Sequence, residues 1–134
     1  MRGGRWSEET GSAIAEFVMV SALLTVLTLS VIQLALVLHI RNTILDAAAE
    51  GARFAALADN GLADGERRTR DLIATAIGAD YARDVSARYE SILGRPAATV
   101  TVRTPLPLIG LVGVESGLEV AGHASVETLG NQVP

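Results

Sequence analysis

The chain has 134 residues and a mass of 14.0 kDa, enough for one modest domain with its own core. It is 49% hydrophobic but only 4% aromatic, which is poor material for a surface that stacks bases or sugars. The 11 basic residues, all arginine, face 15 acidic ones; the net charge of −4 disfavours nucleic acid binding, and the lack of cysteine excludes disulfides, a thiolate nucleophile and cysteine-ligated metal.

The apolar content is concentrated near the N-terminus. From Phe17 to Leu38 no Asp, Glu, Lys or Arg interrupts 22 consecutive residues. A helix of that length rises about 33 Å, which matches the roughly 30 Å hydrocarbon core of a bilayer. The segment reads as a membrane span, taken as residues 17–40, whose Ser21, Thr25, Thr28 and Ser30 return their hydroxyls to the helix backbone. A cleavable signal peptide is the competing reading, since Arg2 and Arg5 precede the span. Its hydrophobic region would run only about 7 to 15 residues, and the small residues Ala47 and Ala49 lie well past the apolar stretch.

No Gly or Pro occurs between Phe17 and Glu50, so the helix is expected to continue to about residue 58. Asp46, Glu50 and Arg53 form its polar face. Ala47, Gly51 and Ala55 recur at i, i+4 and i+8, a row that lets another backbone approach closely; an alanine-rich helix also produces such rows by chance, and both readings stand.

Asp59-Asn60-Gly61 signals a turn. A short amphipathic helix follows, with Asp64 as N-cap, Leu72, Ile73, Ala76 and Ile77 at helical spacing, and Gly78 as its stop. Arg67, Arg68 and Arg70 on it could meet phosphate or lipid headgroups, but such a run is more often a solvated face. Tyr81, Val85, Tyr89, Ile92 and Leu93, ending at Gly94, predict a second short helix. From Ala98 the period changes to two: Val100 and Val102, then Leu118, Val120, Gly122, Ala124 and Val126, mark two strands expected to pair antiparallel. Residues 105–114 between them are uncharged and apolar, too short and too rich in Pro and Gly to span a bilayer, and predict a loop that packs on the domain, on a neighbouring subunit or on the membrane surface. The expected fold class is α+β: a long N-terminal transmembrane helix continuing into a small domain with short helices and an antiparallel hairpin or small sheet.

At the edge of the span the sequence reads Glu9-Thr10-Gly11-Ser12-Ala13-Ile14-Ala15-Glu16-Phe17. A polar leader ends in Gly, four small or apolar residues follow, and a single carboxylate stands at the head of the apolar helix. The pattern resembles the class III signal of type IV pilin-like proteins. That resemblance implies cleavage between Gly11 and Ser12 by a prepilin peptidase, with Glu16 at the fifth mature position. Gly before the bond puts no side chain in the way of the protease. A carboxylate near the membrane is unfavourable unless paired, and the implied partner is the Ser12 ammonium of an adjacent subunit.

Together with Leu45-Asp46-Ala47-Ala48-Ala49-Glu50-Gly51-Ala52-Arg53-Phe54-Ala55-Ala56, the motif is similar to the N-terminal region of the TadE-like pseudopilins of tight-adherence (Tad, or Flp) pilus systems. That family often carries an aromatic pair or Tyr after the glutamate, whereas Phe17 supplies one aromatic. The resemblance implies a minor pilin or pseudopilin acting in pilus assembly or adhesion. Its partners would be the prepilin peptidase, other pilins and pseudopilins, Tad membrane platform proteins and membrane lipid. Glu16 and Phe17 would serve assembly, and Ala47, Gly51 and Ala55 helix packing. The implied organisation is a leader over 1–11, the N-terminal helix over 12–58 and a small extracytoplasmic domain over 59–134. The charges flanking the span are nearly balanced, so topology follows the motif: leader cytoplasmic, region after Arg41 outside, in the cytoplasmic membrane.

Two other classes compete. One is an uncleaved single-pass membrane protein whose outer domain binds a partner through residues 105–114. The other is an anchored enzyme, for which only His39 and His123 offer themselves. With no metal spacing, nucleophile motif or phosphate loop, the expectation is no enzyme, no metal and no cofactor.

Overall fold

The computed structural model describes residues 4–106 and 117–126, with side chains from residue 8 onward. Helix α1 runs Gly4–Ala56, and the boundary between the chain's two compact units falls inside it, between Leu36 and Val37.

In the first unit the helix is apolar and bare. Phe17 is 73% exposed, and Met19, Leu23, Leu27 and Ile32 are exposed with it. The hydroxyls of Thr25, Thr28 and Ser30 donate to the carbonyls of Ser21, Leu24 and Val26 at 2.7–2.8 Å, so these polar groups are satisfied within the helix, as a hydrocarbon environment requires. This is a helix near the N-terminus long and apolar enough to cross a membrane.

In the second unit the rest of α1, from Val37 to Ala56, is joined by α2 (Leu62–Ala76), a 3₁₀ turn (Ala79–Ala82) and strands β1 (Asp84–Ile92), β2 (Arg95–Pro105) and β3 (Gly117–Ser125). The strands form one antiparallel sheet in the order β1-β2-β3. The fold class is α+β, as the sequence predicts, and the two strands read from the alternation are indeed antiparallel neighbours. In register, Val85, Val102 and Val120 form one row across the sheet and Ala87, Val100 and Gly122 the next. These rows face α1, whose Ile40, Ile44, Ala48 and Ala52 complete the core with Ile73 of α2. Towards the far end of the helix, Ala55 and Ala56 pack on Ala98.

Gly122 shows how closely helix and sheet meet. A Cβ built there falls onto the α1 backbone at Ala48 and Ala49, so only glycine lets the strand lie directly on the helix. The sheet's other face is polar, with Arg103 bonded to Glu119 at 2.8 Å, Arg88 to Glu90, and Thr99 between Glu90 and His123.

Three local expectations are corrected. The short helix expected over 81–93 is the 3₁₀ turn followed by β1. Val85, Ala87 and Tyr89 alternate with Ser86, Arg88 and Glu90, and pairing along the whole of β2 settles the period at two. Gly94 is not a helix stop: Leu93 (φ 52°) and Gly94 (φ 76°) form a two-residue turn joining β1 to β2, the left-handed pair whose twist matches that of the strands. Asp64 is not the N-cap of α2. Gly61 is, and the Asp64 carboxylate accepts the Gly61 N–H at 2.9 Å from the third helical position, which fits an acid in the first turn equally well. Of the expected apolar loop, residues 107–114 lie outside the described residues.

Candidate assembly site

Gly11, Ser12, Glu16 and Phe17 all lie on α1 and are exposed. The helix passes through Gly11 without interruption, and a Cβ built there meets nothing within 4 Å. Packing gives no reason for glycine at this position, whereas glycine lowers helix propensity by about 1 kcal/mol relative to alanine. Ser12 and Glu16 are one turn apart on the same helix face. Glu16 forms no hydrogen bond or ion pair among the described residues.

Ala47, Gly51 and Ala55 are buried together against α2 of the same chain. A Cβ on Gly51 would overlap the Thr69 side chain and sit 2.7 Å from the Gly65 carbonyl oxygen; one on Gly65 would sit 2.6 Å from Ala55 Cβ. Thr69 Oγ1 donates to Gly65 O at 2.9 Å, which satisfies the buried hydroxyl in this seam. The small-residue row therefore receives a helix of its own chain.

The three arginines of α2 are each engaged within the chain. Arg67 pairs with Asp64 at 3.2 Å, Arg68 lies 6.0 Å from the centre of the Phe54 ring, and Arg70 donates to Val85 O at 2.9 Å. Glu66, four residues before Arg70, accepts the Ala87 N–H at 2.9 Å and pairs with Arg70 at 3.6 Å. Because β1 is an edge strand, Val85 and Ala87 turn these backbone groups away from β2, and the Glu66–Arg70 pair covers them much as a neighbouring strand would. This arrangement was hidden in the sequence, where Glu66 and Arg70 look like an ordinary helical ion pair.

His39 is exposed on α1, with its carbonyl accepting from Thr43 Oγ1 at 2.9 Å. His123 is on β3, its Nδ1 2.8 Å from Thr99 Oγ1. Thr99 gives its one proton to Glu90 Oε2 at 3.0 Å, which leaves His123 Nδ1 as the donor. The Thr99 bond, then Arg88, holds the Glu90 carboxyl below the usual glutamate range. Among the described residues no interaction joins the two histidines, and no group of three or more His, Asp or Glu could hold a metal ion.

The exposed apolar part of α1 is the one candidate membrane-spanning helix among the described residues. Residues 11–53 match the family model described as TadE-like protein, the family that the leader motif and residues 45–56 resemble. The match begins at the glycine of the leader motif and ends at Arg53, within the part of α1 that builds the core; α2 and the sheet lie outside it. No curated protein and no solved structure matches the chain.

Proposed function

We propose that the protein is a minor pilin or pseudopilin of a Tad (Flp) pilus. A prepilin peptidase cuts between Gly11 and Ser12 on the cytoplasmic side, releasing residues 1–11 as the leader. The mature helix, which ends at Ala56, holds the chain in the cytoplasmic membrane through the exposed apolar part of its 17–40 span until assembly, and residues 59–134 are extracytoplasmic. The observation that carries this reading is a Glu16 without a partner among the described residues, at the head of an apolar helix and five residues after a glycine that packing does not require.

A lone carboxylate at the membrane boundary is stabilised by a cation. Cleavage creates one, the Ser12 ammonium. Four residues of helix rise about 6 Å, so a neighbouring copy shifted by one turn brings its ammonium level with Glu16 and sets the axial register between subunits. Phe17 and the exposed aliphatic side chains that follow it supply the apolar contact between helices. Mass spectrometry of membrane-extracted protein tests the reading. A mature chain beginning at Ser12 is expected, and an intact leader in cells with an active prepilin peptidase would overturn it.

A further inference from the structure

We propose that the β1–β2 hairpin tip of one copy docks into the groove between α1 and α2 of the next copy. The proposal deepens the assembly reading and rests on it for the common direction of the copies. The tip is unusual in two independent ways. Leu93 is 98% exposed, and it has a positive φ of 52°, a conformation that asparagine or glycine adopts readily and a leucine does not. The monomer gains nothing from a strained leucine in water. Beside it, Arg95 is exposed and forms no ion pair among the described residues.

The groove offers the complement. It is an open groove of about 470 Å³ beside Ala49, Leu72 and Ala76, with Asp46, Glu50 and Arg53 on its wall, so that acid outnumbers base there by one. Asp46 is exposed and has no ion pair among the described residues, and Glu50 is held only by a 3.8 Å contact with Arg53. An apolar anchor flanked by an unpaired arginine thus meets an apolar floor flanked by unpaired acid.

Placement gives the contact a direction. The tip lies beyond the Ala98 end of the sheet, where Ala55 and Ala56 pack, whereas the groove is centred near Ala49. A second copy running the same way is therefore displaced along α1 by at least about 10 Å, the rise of seven residues, and is a different neighbour from the one whose Ser12 comes level with Glu16. Tip and groove are different surfaces, so the contact is head-to-tail and repeats without closing, as a filament requires.

The chain contains no cysteine, which makes engineered pairs unambiguous. Full-length Leu93→Cys and Ala76→Cys variants, co-expressed and oxidised in membranes, are expected to form a mixed disulfide dimer; pairing Ala76→Cys with Ser86→Cys, on the sheet's polar face, is the control. A yield no higher than the control overturns the proposal. Leu93→Asn is expected to unfold at the same or a higher temperature than wild type while self-association in detergent, measured by sedimentation, weakens about tenfold. Unchanged association, or a lower unfolding temperature, overturns it. Arg95→Glu should weaken association similarly, and Asp46→Arg in the neighbouring copy should restore it. The N-terminus of the same samples is read by mass spectrometry: a cross-link on a chain with an intact leader keeps the contact and overturns the processing, and a mature chain without a cross-link does the reverse.

Discussion

Gly51 of α1 and Gly65 of α2 meet backbone to backbone: a Cβ on either would stand 2.7 Å from the other's carbonyl oxygen. Two helices can lie this close only where both lack side chains. The seam fixes α2 and, through Glu66 and Arg70, the edge of β1.

Gly51→Ala and Gly65→Ala should each destabilise the protein by about 1–3 kcal/mol, the usual penalty for overpacking, even though alanine favours helix by about 1 kcal/mol. Gly61→Ala introduces no clash, its nearest neighbour being 3.8 Å away, and should lose only the N-cap preference of glycine over alanine, under about 1 kcal/mol. Thermal unfolding of the detergent-solubilised chain should separate the first two variants from the third.

Gly122→Ala should act on the helix–sheet contact in the same way, with a penalty of about 1–3 kcal/mol. The α1 backbone stands in the way of the new Cβ and cannot rotate aside as a side chain would. Hydrogen exchange should show lost protection in β3 together with residues 44–52. Unchanged protection in both would mean that strand and helix separate without consequence.

Removing the guard of the β1 edge should cost about 0.5–1.5 kcal/mol for Glu66→Ala or Arg70→Ala, a modest figure because both side chains are partly exposed. Since the two act on one edge and on each other, the double variant should lose less than the sum. The Ala87 amide should exchange faster in Glu66→Ala, and the variants should aggregate more readily.

Glu90 predicts a pH dependence. Its folded-state pKa is depressed by the Thr99 hydroxyl and Arg88, so its contribution is fully present above the ordinary glutamate value and is lost as pH falls through the depressed one. Stability should therefore decline below about pH 4, and Glu90→Gln or Thr99→Val should flatten that part of the profile. An acid limb unchanged in Glu90→Gln would assign it to other carboxylates.

At the leader, Gly11→Ala should accumulate the uncleaved chain, whereas Glu16→Ala should be cleaved at Ser12 yet enter pili poorly. Immunoblots of membrane and sheared pilus fractions distinguish the two. Equal pilus levels in wild type and Glu16→Ala would remove the carboxylate from assembly.

The elements with one strong signal were legible in the sequence. Residues 17–38 carry no charge, and Val100 to Val102 and Leu118 to Val126 alternate without ambiguity. β1 reads two ways in the sequence, because residues 85, 89 and 93 fit a spacing of four while 85, 87 and 89 fit a spacing of two; only the partner strand decides between them. Asp64 does not by itself reveal its cap position, because an aspartate serves either end of the first turn. Gly122 carried no warning, since a glycine in a strand shows its reason only when a helix is found lying across it. The Glu66–Arg70 clasp and the exposed Leu93 depend likewise on tertiary neighbours or on a turn that local spacing concealed.

The alanines and valines that line the helix–sheet contact bear on how so small a unit holds one shape. Alanine has no rotamers to lose on folding, and valine is nearly fixed at χ1 beforehand. Ala48, Ala52, Ala98, Val100 and Val102 are buried with little side-chain entropy given up. Long, flexible core residues would admit several packings of similar energy; short, stiff ones leave few alternatives. A unit without disulfides can then present the same outer surface in every copy, the condition for a repeating contact to propagate.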